Sequence, residues 1–114
     1  MAKRSAVVFG ATGLVGESLV KQLCEQEKYI SVTAIGRNPL TFKHEKLEQI
    51  IHSLDDLTES DIQFAHDVFC CLGTTMKKAG SKEQFEKVDF EYPMSIASLA
   101  KNQHVEHFIV ISAI

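Results

Sequence analysis

Residues 5–16 of the chain, with the sequence SAVVFGATGLVG, decide its fold. The first five are mostly apolar and partly β-branched, which is typical of a buried strand. Three glycines follow at three-residue steps and interrupt the apolar run. Val15, Leu19 and Leu23 then recur at four-residue steps, which indicates the buried face of a helix over residues 14–26. The stretch therefore predicts a strand, a glycine turn and a helix in direct succession.

The glycine turn has the properties that a dinucleotide pyrophosphate requires. Glycine lacks Cβ, so the backbone can bend tightly and approach an anion closely. The helix that follows points its unpaired N–H groups and the positive end of its dipole at that anion. The alternative is a tight turn that only packs the helix on the strand. Because the turn stands between a first strand and an amphipathic helix, we predict that it binds a dinucleotide through Gly10, Ala11, Thr12, Gly13, Leu14, Val15 and Gly16.

The rest of the chain continues the alternation of strands and helices. Apolar runs predict further strands, and capping residues with helical spacing predict a short helix and a long one that Pro93 kinks or divides. This pattern predicts an α/β fold: a doubly wound parallel (Rossmann) sheet of about five strands in the order 3-2-1-4-5, with helices on both faces. The predicted strands are residues 31–35, 47–52, 68–72 and 108–111, and the predicted helices are residues 58–65 and a segment starting at Ser81.

Size and composition limit the class of protein. The chain has 114 residues, of which 45% are hydrophobic and 24% charged, so we predict one ordinary domain over residues 1–114 and exclude disordered and coiled-coil proteins. The formal net charge of -3 argues against a nucleic-acid partner, which would require clustered Lys and Arg. No stretch reaches the roughly 18 apolar residues that cross a membrane, so no membrane association is expected.

The cysteines and histidines predict no metal site. Cys24, Cys70 and Cys71 lack a C-x-x-C spacing, which favours reduced thiols and an intracellular protein. Cys70 and Cys71 alternate along a predicted buried strand, so their side chains should lie on opposite faces of the sheet. His104 and His107 have a spacing compatible with a metal, but no third ligand is evident.

The end of the second strand indicates which dinucleotide is bound. NAD-binding proteins of this fold place Asp or Glu about 20 residues beyond the glycines, where it accepts hydrogen bonds from the adenosine ribose. This chain has Gly36, Arg37 and Asn38 there and no carboxylate. A guanidinium can bind a 2′-phosphate through two hydrogen bonds. We therefore predict NADP(H) as the cofactor, with NAD(H) less favoured; the alternative is that Arg37 is a solvated loop residue.

The end of the fourth strand predicts further cofactor contacts. In a doubly wound sheet, strands one and four are neighbours and ligands lie at their carboxyl ends. Leu72, Gly73 and Thr74 should therefore face the glycine turn and offer backbone amides and a hydroxyl to ribose or phosphate. A plain turn at this place is the alternative.

These motifs carry a resemblance to a known family. The glycine turn, Ile35-Gly36-Arg37 and the run CCLGTT at residues 70–75 resemble the atypical short-chain dehydrogenase/reductases. The run CLGTT, followed by AGS at residues 79–81 and by Val88-Asp89, is more narrowly similar to the Tat-interacting-protein-like oxidoreductase branch. The resemblance spans essentially the whole chain and implies a Rossmann fold and NADPH binding.

The resemblance also implies a catalytic half that this sequence does not contain. Family members continue for roughly another hundred residues, in line with the two-half build of the fold. Their catalytic Tyr-x-x-x-Lys is absent here, since neither Tyr29 nor Tyr92 has Lys four residues later. Ser112 matches the family's serine-rich strand end and is the one catalytic candidate. We therefore expect the chain to be the NADP(H)-binding domain of an atypical short-chain reductase, truncated after its fifth strand. We do not expect this chain to turn over a substrate alone.

Two further expectations follow from the missing half. Without visible proton-transfer residues, a non-catalytic regulatory or interaction protein that senses NADP(H) is the alternative function. The fifth strand should lie at the sheet edge with apolar side chains unprotected, which predicts self-association.

Overall fold

The computed structural model describes residues 4–11, 13–72, 82–83 and 91–111. Five strands form one sheet within these ranges, and two longer helices flank it. Two short 3₁₀ helices, Leu54–Asp56 and Glu59–Ile62, follow the third strand. The strands are β1 (Arg4–Phe9), β2 (Tyr29–Gly36), β3 (Leu47–Ile51), β4 (Asp67–Cys70) and β5 (His107–Val110), and the helices are α1 (Leu14–Glu25) and α2 (Tyr92–Asn102).

The sheet has the strand order β3-β2-β1-β4-β5, and every neighbouring pair is parallel. The winding reverses beside β1, because β2 and β4 lie on its two sides. The predicted doubly wound α/β sheet is therefore confirmed, together with its strand order. Parallel pairing also places the carboxyl ends of β1, β2 and β4 at one edge, where ligands of this fold bind.

Two apolar cores cover the two faces of the sheet. Successive residues of β1 point to opposite faces, so Val8 packs against α1 residues such as Val20, while Phe9 belongs to the core that contains Ile96 of α2. Both Val8 and Phe9 are fully buried. Burial on both faces explains why β1 is a nearly continuous apolar run rather than an alternating one.

Of the residues that the sequence predicts on the buried face of α1, Leu23 is buried but Val15 is not. Gly16, Val20, Leu23 and Cys24 are its buried residues, whereas Val15 is 53% exposed. The assignment of Val15 to the buried face was therefore wrong. At the first turn the helix lies so close to the β1 backbone that only Gly16 fits against it, and Val15 faces away.

The segment predicted as a helix over residues 58–65 is shorter than expected. Only Glu59–Ile62 is helical, as a 3₁₀ turn. Asp61 nevertheless acts as the predicted capping residue, since its carboxylate accepts a hydrogen bond from the Thr58 N–H at 2.8 Å. Phe64 then adopts a positive φ of 68°, which ends the helical turn.

Pro93 lies in the first turn of α2, where a missing backbone N–H leaves no helical hydrogen bond unmade. The predicted kink or division of the long helix involves residues 84–90, which lie outside the described residues. The predicted start of that helix at Ser81 lies outside the described residues. Among the helices that the structure describes, none combines the length and the apolar character needed to cross a membrane.

Candidate cofactor site

The glycine turn packs two backbone segments against each other at the carboxyl edge of the sheet. Gly10 ends β1 with a φ of +81°, a conformation that favours glycine. A Cβ on Gly10 would lie 2.8 Å from the carbonyl carbon and oxygen of Cys71. A Cβ on Gly16 would overlap the Gly10 carbonyl oxygen and lie 2.8 Å from Cα of Ala11. Gly10 and Gly16 are therefore required by the close packing of β1, α1 and the segment after β4.

Gly13 differs from the other two glycines because the protein itself leaves room for a side chain there. Its backbone is extended, with φ -73° and ψ 165°, which any residue can adopt. Among the described residues, a Cβ on Gly13 would meet the Gly10 carbonyl oxygen alone, at 3.7 Å, an ordinary van der Waals contact. Packing against these residues therefore does not require glycine at this position, although glycine suits an N-cap better than alanine does. The missing Cβ also leaves the backbone open to the close approach of a ligand.

The amino end of α1 is open to solvent at Gly13. The first turn of an α-helix leaves backbone N–H groups without intrahelical acceptors. Gly13 is the N-cap residue and has no side chain to accept their hydrogen bonds. Leu14 is 90% exposed and Val15 53% exposed beside it. The N–H groups and the positive dipole end of α1 are thus accessible to an anion in solvent.

A small cavity joins the glycine turn to the ends of β2 and β3. Ala11, Gly36, Asn38 and Gln49 line it, together with Leu40 and the last residues of β2. No described residue lies within 4 Å of the position that a Cβ on Gly36 would take. Arg37 is exposed at the rim of this region, between Gly36 and Asn38. The structure therefore brings Ala11, Gly36 and Asn38 together, as the sequence predicts.

The segment after β4 reaches the glycine turn through Leu72. The Leu72 backbone nitrogen lies 2.9 Å from the position of a Cβ on Gly10. The Cys71 N–H donates to the Phe9 carbonyl at 2.8 Å, which continues the pairing of β4 with β1 up to the turn. Four other predicted site residues lie outside the described residues: Thr12, Gly73, Thr74 and Ser112.

His52 makes two side-chain hydrogen bonds near the end of β2 that sequence reasoning missed. Its Nδ1 lies 2.8 Å from the Ser53 carbonyl oxygen and its Nε2 lies 3.0 Å from Oδ1 of Asp61. Both partners are oxygen atoms that accept hydrogen bonds, an arrangement that favours the protonated form of the ring. The hydrogen bonds to Ser53 and then to Asp61 raise the pKa of His52. Its backbone N–H also donates to the Gly36 carbonyl at 3.0 Å, which fixes the end of β2.

A second polar cluster lies at the opposite, amino edge of the sheet. Asp67 begins β4 and is only 3% exposed. Arg4 donates to both of its carboxylate oxygens, at 2.7 and 3.0 Å, and the Tyr29 hydroxyl donates at 2.6 Å. His107 Nδ1 lies 2.7 Å from Asp67 Oδ1 and donates to it. One buried carboxylate therefore joins the first residues of β1, β2, β4 and β5.

The electrostatics of this cluster favour the ionised carboxylate. Burial alone would raise the pKa of Asp67, but the hydrogen bonds from Arg4, Tyr29 and His107 outweigh it and hold that pKa well below its usual range. Burial, followed by the hydrogen bond to Asp67, raises the pKa of Tyr29 to about 12. Arg4, Tyr29 and His107 therefore share Asp67 as an acceptor, and the cluster connects the strands far from the cofactor edge.

The thiols lie as the sequence predicts and are protonated. Cys70 belongs to the core under α2, whereas Cys71 packs against the core under α1. Burial raises the pKa of Cys71 to about 11 and also raises that of Cys70. Neither thiol is thus a ready nucleophile. Among the described residues, no group of three or more His, Cys, Asp or Glu side chains is placed to hold a metal ion.

Comparison with known proteins identifies relatives of the chain. A family profile described as NAD(P)H-binding matches residues 10–114. Protein HTATIP2 of Rattus norvegicus is 38% identical over 99% of the chain and 48% of its own length. The mitochondrial protein FMP52 of Debaryomyces hansenii is 28% identical over 96% of the chain and 50% of its own length. The chain thus spans about half the length of the relatives it matches, and these relatives confirm the resemblance inferred from the sequence motifs.

Solved structures confirm the fold. MoeE5, determined in complex with UDP-glucuronic acid and NAD, has a TM-score of 0.81 and 20% identity over 93% of this chain and 36% of its own. Uronate dehydrogenase from Agrobacterium tumefaciens has a TM-score of 0.78 and 16% identity over 99% of this chain and 42% of its own. At these identities the likeness concerns the fold alone.

Proposed function

The chain belongs to the NAD(P)H-binding family, and we propose that it binds NADP(H) at the carboxyl edge of its sheet, with the pyrophosphate on the glycine turn. The observation that carries this proposal is the open backbone at Gly13, where packing among the described residues does not require glycine and a ligand can approach closely. The accessible amino end of α1 supports it, because unpaired N–H groups attract a diphosphate. The proposed contacts are Gly10, Ala11, Thr12, Gly13, Leu14, Val15, Gly16, Gly36, Arg37, Asn38, Leu72, Gly73 and Thr74.

Replacing Gly13 with alanine tests the proposed pyrophosphate contact. A methyl group here would stand where the diphosphate meets the backbone, so we expect NADPH to bind about tenfold more weakly or worse, equivalent to about 1.4 kcal/mol. The unfolding temperature of the cofactor-free chain should fall only slightly, by the cost of an alanine in place of glycine at the N-cap, because the added methyl group makes only ordinary contacts with the described residues. NADPH fluorescence titration and thermal unfolding measure the two effects.

Gln22→Ala is the matched control for Gly13→Ala. Gln22 is an exposed residue of the same helix, two turns further on, and its replacement should leave NADPH affinity unchanged. Wild-type affinity in the Gly13→Ala variant would refute the proposed pyrophosphate site. A wild-type chain that binds no NADPH at millimolar concentration would refute the proposed function as a whole.

We propose NADP(H) rather than NAD(H) because Arg37 stands at the place of the ribose-binding carboxylate. Its exposed guanidinium is free to reach a 2′-phosphate beside Gly36 and Asn38. Charge-assisted hydrogen bonds contribute about 1.5–3 kcal/mol, so Arg37→Ala should weaken NADP+ binding roughly 10- to 100-fold. NAD+ affinity should hardly change, since NAD+ lacks the 2′-phosphate.

Lys43→Ala is the control for the loss of charge, because Lys43 is an exposed cation of the following loop. Isothermal titration with NADP+ and NAD+ distinguishes the variants. Unchanged NADP+ affinity in Arg37→Ala would show that another residue, or none, selects the cofactor.

We further propose that residues 1–114 form the NAD(P)-binding Rossmann domain of a longer reductase. The relatives are about twice the length of this chain, which supports this assignment. Ser112 is the proposed residue of this chain at the reaction centre, and a Tyr-x-x-x-Lys pair would have to come from elsewhere. A phenol must have its pKa lowered by a nearby ammonium before it can transfer a proton near pH 7. We propose the cytoplasm as the compartment of this protein. The FMP52 relatives are mitochondrial by name.

We propose that this chain self-associates through the outer edge of β5. Ile109 and Val110 are 41% and 49% exposed there, and an apolar edge strand can pair with a second copy. Light scattering should therefore show dimers or larger species, and Ile109→Lys should shift the population to monomers. Ile51→Lys, on the opposite edge strand β3, is the control and should leave the association intact. A monomeric wild-type chain would contradict this proposal.

A further inference from the structure

The loop that carries Arg37 is short and is fixed at both of its ends. Arg37, Asn38 and Pro39 are all exposed and join β2 to Leu40. On the strand side, the Gly36 carbonyl accepts the His52 backbone N–H at 3.0 Å. On the other side, Leu40 is only 8% exposed and belongs to the core under α1. The position of Arg37 therefore depends on how these two ends are held.

Gln49 holds the second end through its side chain. Its Oε1 accepts a hydrogen bond from the Leu40 backbone N–H at 2.8 Å. Gln49 lies in β3 beside Ala34 of β2, so the sheet itself fixes its position. A buried backbone N–H that loses its acceptor must rotate toward water or remain unpaired at a cost. The Gln49 side chain thus determines how the Leu40 backbone is oriented and where the loop begins to turn back.

Gln49 also lies at the cavity where the cofactor's ribose would enter. It lines this cavity together with Ala11, Gly36 and Asn38, residues of the proposed site. The amide of Gln49 is uncharged, so it does not attract a 2′-phosphate as a full charge would, and its Oε1 is already engaged by the Leu40 N–H. We therefore expect its main effect on cofactor choice to pass through the loop.

We propose that Gln49 is a positioning residue for cofactor selection: by holding the Leu40 backbone, it keeps Arg37 placed for a 2′-phosphate. This inference rests on the proposed binding of NADP(H). A guanidinium on a fixed loop loses less freedom on binding than one on a loose loop, so it binds the phosphate more tightly. NAD+ gains nothing from this arrangement, since it has no 2′-phosphate. Gln49 therefore raises the preference for NADP+ over NAD+ without contacting the phosphate.

A double-mutant cycle with Arg37 tests the role of Gln49. Gln49→Met keeps the length of the side chain and removes the acceptor, so NADP+ affinity should fall about three- to tenfold while NAD+ affinity changes less than about twofold. In an Arg37→Ala background, Gln49→Met should change NADP+ affinity less than about twofold, because the group that it positions is gone. Glu48→Met, at the neighbouring exposed residue of β3, is the matched control and should change neither affinity.

The outcomes of this cycle separate the two proposals. An equal loss of NADP+ affinity in the wild-type and Arg37→Ala backgrounds would overturn the positioning role of Gln49 while leaving NADP(H) binding intact. A wild-type chain that binds neither dinucleotide would overturn the proposed function itself. If Gln49→Met does not fold, Gln49→Ser leaves room for water to pair with the Leu40 amide, and the same loss of NADP+ preference is expected from it.

Discussion

Replacing Gly16 with alanine is expected to destabilise the folded chain by about 3 kcal/mol, the upper end of the usual cost of overpacking. The new Cβ would overlap the Gly10 carbonyl oxygen and lie 2.8 Å from Cα of Ala11. Both neighbours are backbone atoms of the β1–α1 turn, so neither can rotate away, and α1 would have to move off the sheet. Urea unfolding followed by circular dichroism measures the change.

The direction of this effect is informative because helix propensity predicts the opposite. Alanine in a helix is favoured over glycine by about 1 kcal/mol, so Gly16→Ala would stabilise an unconstrained helix. Gly36→Ala is the control, because no atom of the described residues lies within 4 Å of its added Cβ. This replacement should leave the free energy of unfolding nearly unchanged. A stable Gly16→Ala chain would show that α1 does not pack on the glycine turn as described.

Asp67→Ala is expected to cost about 3–5 kcal/mol of folding stability, as found when one partner of a buried ion pair is removed. Arg4, Tyr29 and His107 all donate to this carboxylate, and its loss leaves them without their shared acceptor. The variant would lose the hydrogen bonds that connect the first residues of β1, β2, β4 and β5. Thermal and urea unfolding of the wild type and the variant measure the difference.

Glu106→Gln is the matched control for Asp67→Ala, because Glu106 pairs with the same Arg4 at 3.0 Å but is exposed. Its replacement should leave the unfolding temperature nearly unchanged, since exposed ion pairs contribute little. If Asp67→Ala and Glu106→Gln lowered the unfolding temperature equally, the stabilising role of the buried Asp67 carboxylate would be contradicted.

The Asp67 cluster also predicts a pH dependence with a definite sign. The pKa of Asp67 is lowered in the folded chain, so its contribution is complete above the unfolded value of about 3.9. The contribution is lost as the pH falls below that value toward the folded pKa. Asp67→Asn, which cannot ionise, should therefore lose less stability on acidification than the wild type does.

The sequence alone was sufficient to predict the strand order of the sheet and the position of the glycine turn between β1 and α1. Local signals determine both: apolar runs mark the strands, and the alternation of strands and helices implies parallel pairing and its order. Strand ends shifted by one or two residues, as in β2, because backbone pairing extends past the apolar run. Val15 was misplaced because helical periodicity does not show how closely a first turn packs on a neighbouring strand.

The polar connections could not be predicted, because they join residues that are distant in the sequence. Arg4 and Asp67 are 63 positions apart, and each looks like an ordinary strand-end charge until the parallel sheet brings the strand starts together. Gln49 lies in the weakest of the predicted strands, and its contact is a backbone N–H that carries no sequence signal. His52 likewise forms its hydrogen bonds with two acceptors that only the folded loop brings within reach.

An amide NMR titration of the intact chain with NADPH tests most directly whether a dinucleotide lies against the amino end of α1. We predict the largest chemical-shift changes at the backbone amides of Gly13, Leu14, Val15 and Gly16, with smaller ones at Gly36 to Asn38. Saturable binding that leaves these amides unshifted, with changes at Arg4, Asp67 or His107 instead, would place the ligand at the wrong edge of the sheet and contradict the account.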